Sequence, residues 1–182
     1  MNGKTAASTR VQMSELTTPE DANFLGKVFG GAILAKVDLC AYVTASRFSG
    51  EICVTASIDR VDFHEPIEVG EVVTMVGEVT YVGRTSVEVT IEVYAENIFK
   101  QTRRHTNTAR VTTVAIKEGK PTPVPRLICE TRDEKVRFLE GRLRREVRAH
   151  HKAEYDRLME GIQAAPDQEV DRMMTAEKLL PG

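Results

Sequence analysis

The sequence predicts an α+β protein in which one long helix packs against an antiparallel sheet. From Gly30 to about Phe48, apolar residues recur at helical spacing. From Cys53 to Ile116 the apolar period changes to two. The short connection Val82-Gly83-Arg84-Thr85 joins two alternating runs as a hairpin.

Residues 1–8 are small and polar and are expected to form a flexible lead-in. Thr9 to Leu16 alternates weakly, as a first strand would. Thr17 to Lys27 (TTPEDANFLGK) is rich in turn and capping types and predicts a loop. In the helix that follows, Ile33, Val37, Cys40, Ala41 and Thr44 share one face, and Gly50 is its stop signal. Strands are predicted over Cys53–Phe63, Val72–Val82, Ser86–Asn97 and Arg104–Ile116. Val87, Val89, Ile91 and Val93 alternate with Glu88, Thr90, Glu92 and Tyr94, which predicts one buried and one wet face. Val72, Val76 and Val82 add apolar surface off that register, which points to association with another subunit. Lys117 to Pro125 (KEGKPTPVP) marks an exit from the sheet.

The main domain is accordingly placed at residues 9–128. A charged helical extension is placed at 129–165 and a disordered tail at 166–182. In the extension, Val136, Leu139, Leu143 and Val147 form a narrow apolar stripe, and Gly141 weakens the helix slightly. Arg142 to Lys152 is locally basic. A solvated amphipathic helix accounts for this run, and a phosphate-binding patch is the sharper alternative. Deleting residues 131–182 is expected to leave the main domain folded.

Composition narrows the function. Charged residues make up 29% and the formal net charge is -2, so nothing favours nucleic acid or an anionic membrane as a partner. No apolar run approaches the ~20 residues of a membrane span. The N-terminus lacks the apolar core of a secretory signal. Cys40, Cys53 and Cys129 are scattered, without a Cys-x-x-Cys pair, as expected in a reducing, cytoplasmic compartment. No Gly-x-Ser-x-Gly elbow, phosphate loop or dinucleotide fingerprint is present. The four histidines show no metal-ligand spacing with a carboxylate, and no metal site is expected.

Asp38 stands out, because it lies mid-helix among residues that pack on the sheet. It either sits desolvated, as a base or nucleophile requires, or reaches solvent or a lysine at the helix flank. Gly30-Gly31 at the helix start would let a ligand approach open backbone N–H groups, which suits an oxyanion. Asn23 offers an amide that can orient a water or carbonyl, or serve as a turn residue.

Pro19-Glu-Asp-Ala-Asn-Phe-Leu-Gly-Lys-Val-Phe-Gly-Gly, with Asp38 in the helix behind it, resembles the hot-dog-fold acyl-CoA thioesterases of the cytosolic acyl-CoA hydrolase type. Four further blocks match in order: Phe63-His-Glu-Pro-Ile-Glu-Val-Gly-Glu, Val82-Gly-Arg-Thr-Ser-Val-Glu-Val, Thr106-Asn-Thr-Ala and Gly119-Lys-Pro-Thr-Pro-Val-Pro. The resemblance spans about residues 9–125. It implies a helix wrapped by about five antiparallel strands, dimers sharing a continuous sheet, and often a hexameric trimer of dimers. It also implies hydrolysis of acyl-CoA to a free acid and CoA without a metal or organic cofactor. By position, Asp38 matches the catalytic carboxylate, Asn23 the partner that positions water or substrate, and Gly31 the backbone donor to the thioester oxygen. Gly83, Arg84, Thr85 and Ser86 match the hairpin that contacts CoA.

A hot-dog hydratase or dehydratase would need a His–carboxylate pair, for which His64 and Glu65 are the local candidates. A non-enzymatic acyl-CoA sensor would carry a helix-turn-helix, for which the segment before the first strand is too short. Geometry adds one expectation: Gly31 and Asp38 are separated by a helical rise of ~10.5 Å. A carbonyl on the Gly31 N–H is then out of reach of the same chain's Asp38, and a site built from two subunits follows.

Overall fold

The structure, a computed structural model, describes residues 3–59 and 61–179. Expectations for residues 1–2, Arg60 and 180–182 lie outside these. The elements in chain order are β1 (Lys4–Thr5), β2 (Val11–Leu16), α1 (Gly30–Ser49), β3 (Ile52–Ile58), β4 (Val72–Val82), β5 (Ser86–Asn97) and β6 (Thr102–Lys117). Then come β7 (Lys120–Pro121), β8 (Leu127–Ile128), α2 (Arg132–Ala164) and α3 (Asp167–Met174). The chain divides into two compact units, Met1–Gly141 and Arg142–Gly182.

In the first unit an antiparallel sheet in the order β2-β4-β5-β6-β3 wraps α1. Ile33, Val37, Cys40, Ala41 and Phe48 of α1 are buried against the inward faces of β4, β5 and β6. Ile33, Val37 and Phe48 each contribute roughly 1.5–3 kcal/mol by leaving water. At Gly77 the helix comes closest to the sheet: a Cβ there would lie 2.5 Å from Thr44 Oγ1. Gly50 ends α1 in the left-handed region at φ 77, and its N–H bonds Ser46 O at 2.9 Å.

The outer face is less wet than its pattern predicts. Glu88 is only 2% exposed, and Thr74 and Thr80 are also buried. The first turns of α2 cover Glu88 and its neighbours Glu78 and Tyr81. Phe138 packs on Tyr81 with ring centroids 5.0 Å apart, and Arg137 pairs with Glu78 at 3.2 Å. Gly141 makes this approach possible, because a Cβ there would meet Tyr81 Cβ at 2.4 Å and Glu88 Oε1 at 2.8 Å. The glycine expected to weaken the helix is where its backbone meets the sheet.

Other departures have local causes. The described part of the lead-in is tied down: β1 pairs with β8, and Lys4 Nζ donates to the Arg47 and Phe48 carbonyls at the end of α1. β3 stops at Ile58, short of Phe63. The exit segment briefly rejoins the sheet, because Glu118 and Gly119 turn at φ 50 and 75 and fold β7 back on β6.

In the second unit, Tyr155, Leu158, Met159 and Ile162 of α2 and Met173 of α3 line an apolar pocket. α3 lies where no regular structure was expected. Among the described residues no helix is long and apolar enough to cross a membrane.

Candidate active site

The loop into α1 is a built structure. Thr18 N–H donates to Asp21 Oδ2 at 2.9 Å, closing the 3-10 turn Pro19–Asp21. That bond leads in holding the Asp21 carboxyl below its ordinary pKa, against partial burial and with help from Lys36. Lys36 of α1 reaches Glu15 at 2.8 Å and Asp21 at 3.5 Å, so it ties the loop to β2. Burial works against its ammonium, but the two carboxylates more than offset this and raise its pKa.

Ala22 bridges to Val28, and Lys27 bridges to Glu68. Asn23 stands at the neck of the resulting small hairpin. Its N–H donates to Lys27 O at 2.7 Å. Its Oδ1 accepts from Leu25 N–H at 2.9 Å and Lys27 N–H at 3.1 Å. With Oδ1 held by two backbone donors, Nδ2 is the end of the amide left to donate.

The α1 ladder opens with Ala32 and Ile33 N–H on Phe29 O. The N–H groups of Gly30 and Gly31 precede it and stay open, as first-turn donors do. Phe29 folds over Gly31 so closely that a Cβ would lie 2.3 Å from its ring, and Phe63 lies 3.6 Å from the same point on Gly30. Both rings are exposed, as are Phe24 and Leu25 in the loop before the helix.

The Phe63 loop is clamped by a pair with no periodic signal in the sequence. Arg104 binds Glu71 through two bonds of 2.7 and 2.8 Å, Glu65 at 3.0 Å and Pro66 O at 2.7 Å. Glu71 is 3% exposed. Its hydrogen bonds to Arg104 hold its carboxyl below the ordinary value despite burial. Glu65 is thus engaged by Arg104, and His64 donates its backbone N–H to Thr106 O.

Asp38 is half-exposed on the flank of α1 and accepts a 2.6 Å hydrogen bond from Thr55 Oγ1 of β3. The desolvated alternative is therefore not met within one chain, because Asp38 faces β3, the last strand of the sheet. Leu39, Tyr42, Ile52, Val54 and Ile58 are exposed on the same two elements.

The β4–β5 hairpin closes with Gly83 N–H on Ser86 O at 2.9 Å. Thr85 O accepts from Ala115 N–H, and Arg84 O accepts from Val124 N–H at 3.0 Å. Ala115 pairs with Cys53, whose N–H reaches Ser46 Oγ, so the hairpin lies toward the C-terminal end of α1. One chain therefore brings Asn23 and Gly31 to one end of a helix ~30 Å long. Asp38 lies midway, and Gly83, Arg84, Thr85 and Ser86 lie toward the other end. Among the described residues no cluster of three or more His, Cys, Asp or Glu could hold a metal ion.

A curled sheet around one helix, with open amides where the loop enters that helix, defines a hot-dog domain. Residues 25–98 match the thioesterase superfamily model. The chain is 42% identical over 141 residues to the protein VdlD of Helicobacter pylori, covering 78% of this chain and 80% of that one. It is similar to an apo-hexameric acyl-CoA thioesterase, with a TM-score of 0.80 and 37% identity over 84% of this chain and 99% of the other. It is also similar to the Staphylococcus aureus acyl-CoA hydrolase in complex with butyryl coenzyme A and coenzyme A. There the TM-score is 0.77 and identity 30%, over 88% and 98% of the chains. Variants of that hydrolase have an aspartate, an asparagine or a threonine replaced by alanine. The chain belongs to the thioesterase superfamily, among its acyl-CoA hydrolases.

Proposed function

We propose that this chain hydrolyses acyl-CoA thioesters to a carboxylic acid and CoA, in sites that each draw on two copies. One observation carries the two-copy site. Gly31 and Asp38 sit seven residues apart on one helix, and Asp38 borders an edge strand whose Ile52, Val54 and Ile58 are exposed. Two copies related by a dyad, with α1 antiparallel, would bury that edge and bring each Asp38 toward the partner's helix start. The partner's β4–β5 hairpin would arrive at the same end. The three residues replaced in the S. aureus hydrolase stand at the same mutual spacings as Asn23, Asp38 and Thr55, which supports these assignments.

In this site the thioester oxygen takes the Gly31 N–H, with Asn23 Nδ2 as a second donor to the oxygen or to water. Both donors are preorganised, so they stabilise the charge that develops on the oxygen. Asp38, oriented by Thr55, accepts a proton from water as the water oxygen bonds to the carbonyl carbon. The carbon–sulfur bond then breaks, the thiolate leaves as CoA, and the proton returns to it. Direct attack by Asp38 followed by hydrolysis of the anhydride gives the same products. Gly83, Arg84, Thr85 and Ser86 contact CoA. No metal or organic cofactor is needed, because a thioester is already activated. A trimer of such dimers, in the cytoplasm, is the assembly proposed. Residues 9–128 form the catalytic domain.

The test is a panel of acyl-CoA esters from short to long chains with release of free thiol measured. Thiol release on at least part of the panel is expected. Tight acyl-CoA binding without release on any ester would favour a sensor instead.

A further inference from the structure

The strap after β7 and the first turns of α2 build something beside the β4–β5 hairpin. Val124 N–H is bonded to Arg84 O, so the strap Pro123–Pro125 runs directly along the hairpin. Gly83, Arg84, Pro123, Pro125, Arg126 and Phe138 line a cleft of about 440 Å³ there, a size within the range of small-molecule sites. Phe138 is seated by its packing on Tyr81. No carboxylate lines the cleft, and its two cations, Arg84 and Arg126, are both exposed. Neither guanidinium is engaged by an acidic side chain among the described residues. Two open guanidinium groups beside proline and phenyl surfaces match a phosphorylated nucleotide, with phosphates on the arginines and the base on the apolar wall.

We infer that Arg126 and Phe138 extend the hairpin into a cleft for the phosphorylated adenosine end of the acyl-CoA substrate. This rests on the hydrolase function proposed above. It gives the start of α2 a part in substrate binding, whereas the superfamily match ends at residue 98. Contacts so far from the thioester act equally on ground and transition states, so their loss raises KM and spares kcat.

The experiment compares two substrates with one acyl group: the CoA ester, and the pantetheine ester, which lacks the nucleotide. Arg126→Gln is expected to raise KM for the CoA ester about 10-fold, with kcat within about two-fold and the pantetheine ester unaffected. Arg126→Lys should recover part of the loss, because the charge remains but the planar fork is gone. Phe138→Leu, which keeps an apolar packing group on Tyr81, should raise the same KM about 3-fold. An unchanged KM for the CoA ester in Arg126→Gln overturns the inference, and so does an equal rise for both esters. Calorimetric titration with CoA and with pantetheine separates the two proposals. If the wild type cleaves neither ester, the hydrolase function fails. Weaker CoA binding by Arg126→Gln would still support the cleft, and unchanged CoA binding would overturn it.

Discussion

Thr55 Oγ1 donates a 2.6 Å hydrogen bond to Asp38 Oδ1, joining the edge strand to the helix flank. The bond restrains the carboxylate's rotation and engages Oδ1 rather than Oδ2. Thr55→Val keeps the shape and removes the donor. If the bond orients Asp38 in the transition state, losing about 1.5 kcal/mol of that orientation should lower turnover at least ~10-fold, more than any accompanying shift in melting temperature accounts for. Thr55→Ser should restore most of it. Full activity in Thr55→Val would make the contact merely structural.

Asp38→Asn is isosteric but can act as neither base nor nucleophile. Turnover should fall by at least ~100-fold while CoA affinity and the fold persist. A folded variant with near-normal turnover would remove Asp38 from the chemistry.

Subunit exchange tests the two-copy site directly. Asn23→Ala and Asp38→Ala are each expected to be inactive alone. In a mixed heterodimer one site is intact and the other doubly broken. Random exchange makes half the dimers mixed, so activity should return to about a quarter of wild type. Exchange seen by native mass spectrometry without any recovery would place the site within one chain.

The Glu71–Arg104 pair makes the Phe63 loop sensitive to acid. Folding lowers the Glu71 pKa, so the unfolded chain binds its proton more readily. The stabilisation is therefore complete above the unfolded value of 4.5 and is lost as pH falls through the lower folded value. Arg104→Ala leaves a buried carboxylate without its cation and should cost about 3 kcal/mol at neutral pH, the low end for breaking a buried pair. In this variant Glu71's favourable contribution should shrink or reverse as pH rises. Denaturant titrations at several pH values measure both effects.

The boundary of the first unit revises where the tail can be cut. A deletion from residue 131 uncovers Tyr81 and Glu88, because Phe138 and Gly141 pack on them. Deleting 142–182 should leave a folded, active domain, whereas deleting 131–182 should lower its melting temperature or solubility. Gly141→Leu forces α2 off the sheet and should destabilise by about 1–3 kcal/mol. Equal melting curves for the two truncations would mean that the first turns of α2 contribute nothing.

Local pattern by itself determined the long elements. The bounds of β4 and β5, the helix from Gly30 and its stop at Gly50 follow from side-chain period and glycine conformation, which neighbours in the chain dictate. The two glycines before an apolar helical face and the asparagine in the preceding turn were legible for the same reason. Only tertiary structure decided what covers what. Glu88 alternates as a wet residue, yet a helix some fifty positions later buries it. Asp38 lies among core residues in sequence, yet it reaches the flank because the sheet ends at β3. Glu71 meets Arg104 33 residues away, and Arg84 meets the strap that carries Arg126. Such contacts depend on how a twisted sheet closes around the helix, and no periodicity along the chain encodes that closure.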